Sequence, residues 1–326
     1  MRTVTAVAWF LGLGLIVLLV VHYGAASLGH ALAVAGAGML LAPLAHLPSL
    51  MIDALGWWRL LPDDGGRPAY RWLLLYRWVG VAVNGTLPVA QVGGEVIRAR
   101  LAAQSGLSGA DAGASVVVDL TLGLMTQILF ALIGLAFLIG HGATPVGLGA
   151  LAFALLALAG MVAAFATAQA RGVFRKLARP IARSIGGRGW RDLAGGASAL
   201  DGAIAEVWRQ PRRVAEAALL RFAGWVVGSA ELWVAFWLLG QPIDLAEAIA
   251  LEATAQVVRS AAFVIPGGLG AQEGGLVLAG SWLGLPPDIT LAAALIKRAR
   301  EIILGVGGLV LWSLIEGTRS VNAQKG

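Results

Sequence analysis

A dozen charged side chains lie inside or beside apolar stretches of this sequence. A charge at the centre of a membrane helix costs about 2.5–3.5 kcal/mol on insertion scales, so a set of this size does not face lipid. Such side chains instead pair with one another or line a wet interior, where they can bind and neutralise a charged group. The twelve are Arg77, Glu95, Arg98, Arg100, Asp119, Glu231, Arg259, Glu273, Lys297, Arg298, Arg300 and Glu301.

Helical spacing places these charges on shared faces. Lys297, Arg300 and Glu301 stand at i, i+3 and i+4 of the apolar segment ITLAAALIKRAREIILG, so they line one side of a helix. Three more segments carry polar stripes, and four stripes predict one shared polar interior. Asp119 and Lys297 then face the same cavity and are candidate partners. The three stripes are Ser115, Asp119, Gly123, Thr126 and Gln127; Arg221, Gly224, Gly228 and Glu231; and Glu252, Gln256 and Arg259.

A purely structural role is the alternative for any single charge. Glu95 and Glu273 each follow a glycine break, and an acid in the first turn of a helix gains about 0.3–1 kcal/mol from the helix dipole. Arg98 stands three residues after Glu95 and can pair with it. The set as a whole favours a functional path, because a structural bundle does not need so many buried charges.

Several kinds of chemistry have no motif in this sequence. The histidines (His22, His30, His46 and His141) are isolated, and no nucleotide-binding loop or nucleophile elbow is present. The absence of cysteine excludes thiol catalysis and iron–sulfur clusters. We therefore expect no metal and no cofactor, and we predict that the chain is not an enzyme; an enzyme would have to use the intramembrane charges alone.

The composition is that of a membrane protein. The 326 residues are 58% hydrophobic and 13% charged, whereas soluble proteins carry about a quarter charged residues. We predict an all-α polytopic protein with about six to eight membrane helices in one transmembrane domain, residues 1–326. The first apolar run is longer than a typical signal core, which favours a retained helix over a cleaved signal peptide. The clearest apolar windows are Val4–Val21, Leu32–Ile52, Leu122–Ile139, Val146–Ala168 and Val214–Leu239.

Basic residues predict the orientation of the chain. Residues 169–213 hold ten Lys/Arg against three acids, so this basic loop is expected in the cytoplasm, as are residues 53–71 and both termini. Within it, VFRKLARPIAR is either an interfacial helix or a solvated loop. Residues 72–104 must then enter the membrane and return to the same side, which predicts a re-entrant hairpin. The net charge of +6 belongs to these loops, and we expect no nucleic-acid binding.

The hairpin signal occurs twice. A shift of 178 residues aligns PVAQVGGE (88–95) with PGGLGAQE (266–273), and a Gly-Leu pair follows eleven residues after each glutamate. Broken apolar segments at corresponding places in two halves are typical of transporters built as inverted repeats. We predict halves of about 36–124 and 214–302, with chance similarity as the alternative. The predicted breaks are Pro88, Gly93, Gly94, Pro266, Gly267, Gly268 and Gly270.

The segments NGTLPVAQVGGEVIRARL, GASVVVDLTLGL, IPGGLGAQEGG and LIKRARE resemble the lysylphosphatidylglycerol synthase/flippase transmembrane family. They are most similar to its hopanoid-biosynthesis-associated branch, and the similarity runs from about Tyr70 to Trp312. The resemblance implies two re-entrant segments and movement of lipid between leaflets. Only a short tail follows Trp312, so we expect no synthesis of lysyl-lipid by this chain alone. By resemblance, Glu95, Arg98, Asp119, Glu273, Lys297 and Arg298 belong to the headgroup path.

These observations predict a translocase for a polar-headgroup lipid, anionic or hopanoid-related, in a bacterial inner membrane. A small-solute secondary transporter and an accessory or enzymatic subunit of lipid biosynthesis are the alternatives. Membrane lipid is the expected partner, and a homodimer and contacts with lipid-biosynthesis enzymes are left open. The predicted substrate path comprises Arg77, Asn84, Glu95, Arg98, Asp119, Gln127, Arg259, Glu273, Lys297, Arg298 and Glu301.

Overall fold

The computed structural model describes residues 17–18, 20–22, 29, 33–62, 67–87, 92–141, 145–172, 188–262 and 265–323. Within these ranges all regular structure is helical, and no strand occurs. Expectations for most of the first apolar run, for Pro88 and for residues 173–187 fall outside the described residues. The prediction of an all-α polytopic membrane protein is confirmed.

Eleven α-helices are described, together with two short 3-10 turns at Gly36–Leu40 and Pro266–Gly268. Side-chain caps define the start of two helices. The Ser108 hydroxyl accepts a hydrogen bond from the Asp111 amide before Gly109, and Asp244 forms a capping box with Glu247 before Leu245. The helices are α1 Leu41–Arg59, α2 Tyr70–Thr86, α3 Gly93–Ala103, α4 Gly109–Ile139, α5 Pro145–Ala170, α6 Arg188–Trp208, α7 Pro211–Gly228, α8 Ala230–Leu238, α9 Leu245–Ala261, α10 Ala271–Trp282 and α11 Pro287–Ala323.

Three stretches of the described helices are individually long and apolar enough to cross a membrane. They are Gly109–Ile139, Gly149–Gln169 and Pro211–Leu238, the last comprising α7 and α8. This measure covers only the described residues, so the expected number of about six to eight membrane helices stays a prediction. Helices α2 and α9 have 17 residues each and carry buried arginine or glutamate, so they depend on neighbouring helices to cover their polar faces.

Each half of the chain contains a helix, a break and a short helix. Helices α3 and α10 have 11 and 12 residues, which gives lengths of about 16 and 18 Å. Both are too short to cross a hydrocarbon core of about 30 Å. In the second break, Gly267, Gly268 and Gly270 have φ of 61°, 63° and 75°, a region that favours glycine. The predicted breaks at Gly93 and Gly270 therefore mark the starts of two half-helices.

The two halves share the order and spacing of their helices. Helices α3 and α10 begin 178 residues apart, and so do α4 and α11. Packing between the halves is reciprocal: α2 packs on α11 while α9 packs on α4, and α1 packs on α7. If a two-fold axis relates the halves, a contact of α2 with α11 requires the equivalent contact of α9 with α4. The repeat and its inverted orientation stay predictions, and these contacts favour them.

The basic segment 169–213 is not a loop throughout, contrary to the sequence prediction. Its second part forms α6, where Leu200 and Ile204 pack against Ala114 and Val118 of α4. The spacing of these apolar residues explains the difference, because they form a stripe that a composition dominated by arginine conceals. The cytoplasmic location of this segment stays a prediction.

Candidate functional site

The first network of buried charges surrounds Asp119 on α4, whose side chain is fully buried. Arg77 of α2 and Arg98 of α3 each place a guanidinium nitrogen 2.7 Å from Asp119 Oδ2. The Arg98 guanidinium also lies over the ring of Trp57, 4.8 Å from its centroid. One carboxylate therefore joins two helices of the first half, one of them the half-helix α3.

Asp53 extends this network to α1 and α7. Asp53 Oδ2 accepts a hydrogen bond from Arg77 Nη2 at 2.9 Å and lies 2.5 Å from Arg221 Nη1. Glu95 is paired with Arg98, as the spacing of the two residues predicted. We call this set network 1, and it balances three acids against three bases: Asp53, Glu95 and Asp119 with Arg77, Arg98 and Arg221.

Close approach of α2 and α3 makes network 1 possible. A Cβ on Gly94 would overlap the carbonyl oxygen of Gly80, so the two backbones are in contact. Asn84 stabilises the same helix crossing. Its Oδ1 accepts a hydrogen bond from the Gly94 amide at 2.7 Å, and its Nδ2 lies 3.4 Å from Glu95 Oε1. The predicted path residue Asn84 thus holds the break in place.

The second network lies among α8, α9, α10 and α11. Arg300 forms a bidentate ion pair with Glu231, in which both nitrogen–oxygen distances are 2.8 Å. Lys297 Nζ donates to both oxygens of Glu252, at 2.8 and 2.7 Å. His46 of α1 places Nδ1 3.4 Å from Glu231 Oε2.

The half-helix α10 joins the second network through its first turn. Glu273 accepts the Gly270 amide at 2.8 Å and Arg298 Nε at 2.7 Å. Arg298 also donates to the Gly267 carbonyl at 3.0 Å and to Glu301 at 2.5 Å, and Arg259 binds Glu301 at 2.6 Å. We call this set network 2, and it balances four acids against four bases: Glu231, Glu252, Glu273 and Glu301 with Arg259, Lys297, Arg298 and Arg300.

Residues 5–307 match the sequence model of a family described as "lysylphosphatidylglycerol synthase TM region". The chain belongs to this family. No curated protein and no solved structure matches the chain. Membership in the lysylphosphatidylglycerol synthase TM-region family makes this a lipid-related membrane protein, and the resemblance predicted from the sequence motifs is confirmed for the family.

Two expectations about this family member are wrong. Asp119 and Lys297 do not pair, because Arg77 and Arg98 occupy Asp119 while Glu252 occupies Lys297. The single polar interior is two networks, and no ion pair described for these residues joins them. Helical spacing identified the polar faces correctly, since Lys297, Asp119 and their stripes are buried, but it does not specify which faces meet.

Most predicted path residues lie in one network or the other. Arg77, Glu95, Arg98 and Asp119 lie in network 1, with Asn84 beside it. Gln127 lies in neither: it donates to Ser260 Oγ at 2.7 Å and to the Gln256 carbonyl at 3.1 Å, which joins α4 to α9. The members that the path prediction omitted are Asp53, Arg221, Glu231, Glu252 and Arg300, and it also omitted His46, which lies beside network 2.

The two networks carry corresponding pairs of opposite polarity. Arg77 lies on α2 and Glu252 on α9, the helices that precede the two breaks, although the 178-residue shift aligns Arg77 with Ala255, about one helical turn after Glu252. Asp119 and Lys297 stand at the same place in α4 and α11, ten residues after the first. Each half therefore pairs a charge on the helix before its break with a charge at this shared position, Arg77 with Asp119 and Glu252 with Lys297, with acid and base exchanged.

Proposed function

We propose that this chain is a lipid translocase of a bacterial inner membrane, which passes a polar headgroup between leaflets while the tails stay in the bilayer. The observation that carries the proposal is the pair of buried, charge-balanced networks at the two helix breaks. The second break adjoins the last turn of α2, which precedes the first break: a Cβ on Gly267 would lie 3.0 Å from the Gly85 carbonyl oxygen and 3.3 Å from Arg298 Nη1. Membership in a lipid-related family supports the same function.

Partner exchange explains how a charged headgroup could pass through such a site. Removing one partner of a buried ion pair costs about 3–5 kcal/mol, because the other charge is left without compensation. A headgroup that supplies a charge of the right sign replaces the lost partner and removes most of this cost. Arg98, Glu273 and Arg298 are suited to exchange, since each lies at the first turn of a half-helix or contacts a residue there.

Exposed apolar side chains beside the first break favour a lipid over a small solute. Val92 and Val96 are 54% and 64% exposed, and they flank Gly93, Gly94 and Glu95. Acyl chains can lie against such side chains while a headgroup reaches Glu95. A small solute has no tails to place against an apolar surface beside its binding residues.

A leaflet-specific assay on purified protein in liposomes tests the proposal. Lipid extracted from the native membrane is labelled and added to one leaflet, and its appearance in the other is followed against protein-free liposomes. We expect movement that depends on the protein and needs no nucleotide. Absence of movement for every lipid fraction, hopanoid-containing ones included, would contradict the proposal and favour an accessory role in lipid biosynthesis.

A further inference from the structure

Gln272, in the first turn of the half-helix α10, is buried with no hydrogen-bond partner. Its side chain is 2% exposed, yet neither Oε1 nor Nε2 has a protein partner. Buried amides normally find partners, because a polar group left unpaired away from water destabilises the fold. Among the described residues, the other buried glutamines are Gln127 and Gln169, which donate to Ser260 and Thr121 at 2.7 Å each, although Gln169 Oε1 has no partner. Gln272 therefore calls for an explanation.

Gln272 is one of the residues that line a narrow polar gap between α10 and α11. Charged side chains of network 2 form its other polar walls. Leu276 and Ala294 supply the apolar part of the lining. A water-sized sphere does not fit, so the gap must widen to take a ligand. The polar residues that line it are Gln272, Glu273, Lys297, Arg298 and Glu301.

We propose that this gap is the binding site for a headgroup that carries one phosphate and one ammonium, with Gln272 as a ligand-binding residue. The proposal deepens the proposed function and rests on it. The phosphate would bind Arg298, Lys297 and the Gln272 amide NH₂, at the positive end of α10. The ammonium would bind the carboxylates of Glu273 and Glu301, with the Gln272 oxygen as a further acceptor.

Charge balance favours this class of headgroup over the alternatives. The walls of the gap hold two acids and two bases, and network 2 as a whole is neutral. An anionic headgroup would add an uncompensated charge beside Glu273 and Glu301. An uncharged polyol would separate the ion pairs and supply no charge to replace them. A phosphate and an ammonium together return a partner to every charge that they displace.

The experiment compares three labelled lipids with the same acyl chains in liposomes that contain the full chain. Phosphatidylethanolamine carries both charges, phosphatidylglycerol is anionic, and a monoglucosyl diacylglycerol is uncharged. We expect phosphatidylethanolamine to cross about tenfold faster than either of the others, which corresponds to one lost charged contact. Equal rates for all three, or faster phosphatidylglycerol, would overturn the headgroup class while leaving translocation in place.

Gln272→Met tests the residue, with Gln169→Met as the matched control. We expect Gln272→Met to unfold at the same or a higher temperature than the wild type, because it removes an unpaired amide, and to lose about tenfold in phosphatidylethanolamine movement. Gln169→Met should lower the unfolding temperature and retain the rate. Wild-type movement by Gln272→Met would overturn the role of this residue. If Gln272→Met does not fold, Gln272→Leu takes its place.

A binding measurement separates this site from translocation. Soluble glycerophosphoethanolamine should raise the unfolding temperature of the detergent-solubilised wild type, and glycerophosphoglycerol should not. The shift should disappear in Gln272→Met. If no lipid crosses but this pattern appears, the site stands and the proposed function fails. If lipid crosses without any shift from glycerophosphoethanolamine, the site fails and the proposed function stands.

Discussion

At the scale of single residues, several members of the networks have more than one partner of opposite charge. Asp119 keeps Arg77 when Arg98 is removed, and Arg298 keeps Glu301 when Glu273 is removed. Neutralising Arg98 or Glu273 therefore strands no fully buried charge. This redundancy allows headgroup binding to be separated from folding.

Arg98→Gln and Glu273→Gln should purify as folded proteins and lose at least about tenfold in lipid movement, as one charged contact is worth about 1.5–3 kcal/mol. Arg100→Gln is the matched control, because Arg100 is two residues away on α3, 57% exposed and paired only at 3.3 Å with Glu316 among the described contacts. It should move lipid at the wild-type rate. Full activity in both test variants would remove these charges from the mechanism.

Lys297 and Glu252 should behave as one unit. Lys297→Met leaves the Glu252 carboxylate buried without its closest base, at a cost of about 3–5 kcal/mol in unfolding free energy. Glu252→Gln/Lys297→Met should recover a large part of that loss. The pair Asp119→Asn and Lys297→Met should instead be additive within about 0.5 kcal/mol, because the two lie in separate networks. Thermal or denaturant unfolding in detergent measures both cycles; coupling in the second would contradict the separation.

At the scale of elements, the crossing of α2 and α3 depends on the absence of side chains. Gly94→Ala should destabilise the protein by about 1–3 kcal/mol or more, because the new methyl group overlaps the Gly80 carbonyl and pushes the helices apart. Gly85→Ala, in the same helix pair, meets no atom within 4 Å and should be neutral. Unfolding temperature and lipid movement are the measurements. A stable and active Gly94→Ala would show that the crossing tolerates separation.

Sequence reasoning located the helices and breaks better than it located the contacts between them. Stripes of polar residues follow from periodicity within one segment, so the buried faces with Asp119, Glu252 and Lys297 were predictable. Partner identity depends on packing between segments far apart in sequence, and the pairing of Asp119 with Lys297 was wrong for that reason. Asp53 was missed because it lies just past an apolar window, although the 178-residue shift aligns it with Glu231.

At the scale of the whole molecule, the predicted topology fixes which loops meet which compartment. The chain has no cysteine, so single cysteines report their own surroundings. Arg209→Cys, after α6, should react with an impermeant maleimide only from the cytoplasm. Gln241→Cys, between α8 and α9, should react only from outside. Both sites are exposed, and reaction of both from the same side would contradict the orientation and the inverted repeat.

The equal numbers of acids and bases in each network have an electrical consequence. Moving one elementary charge through the membrane field requires about 2.3 kcal/mol per 100 mV. A network of zero net charge that shifts as a body, with a headgroup of zero net charge, carries no net gating charge across the field. We expect phosphatidylethanolamine movement to be unchanged by a potassium diffusion potential imposed with valinomycin, and a steep response would reveal an unbalanced moving charge. Such a protein would work equally well in an energised and in a depolarised cell.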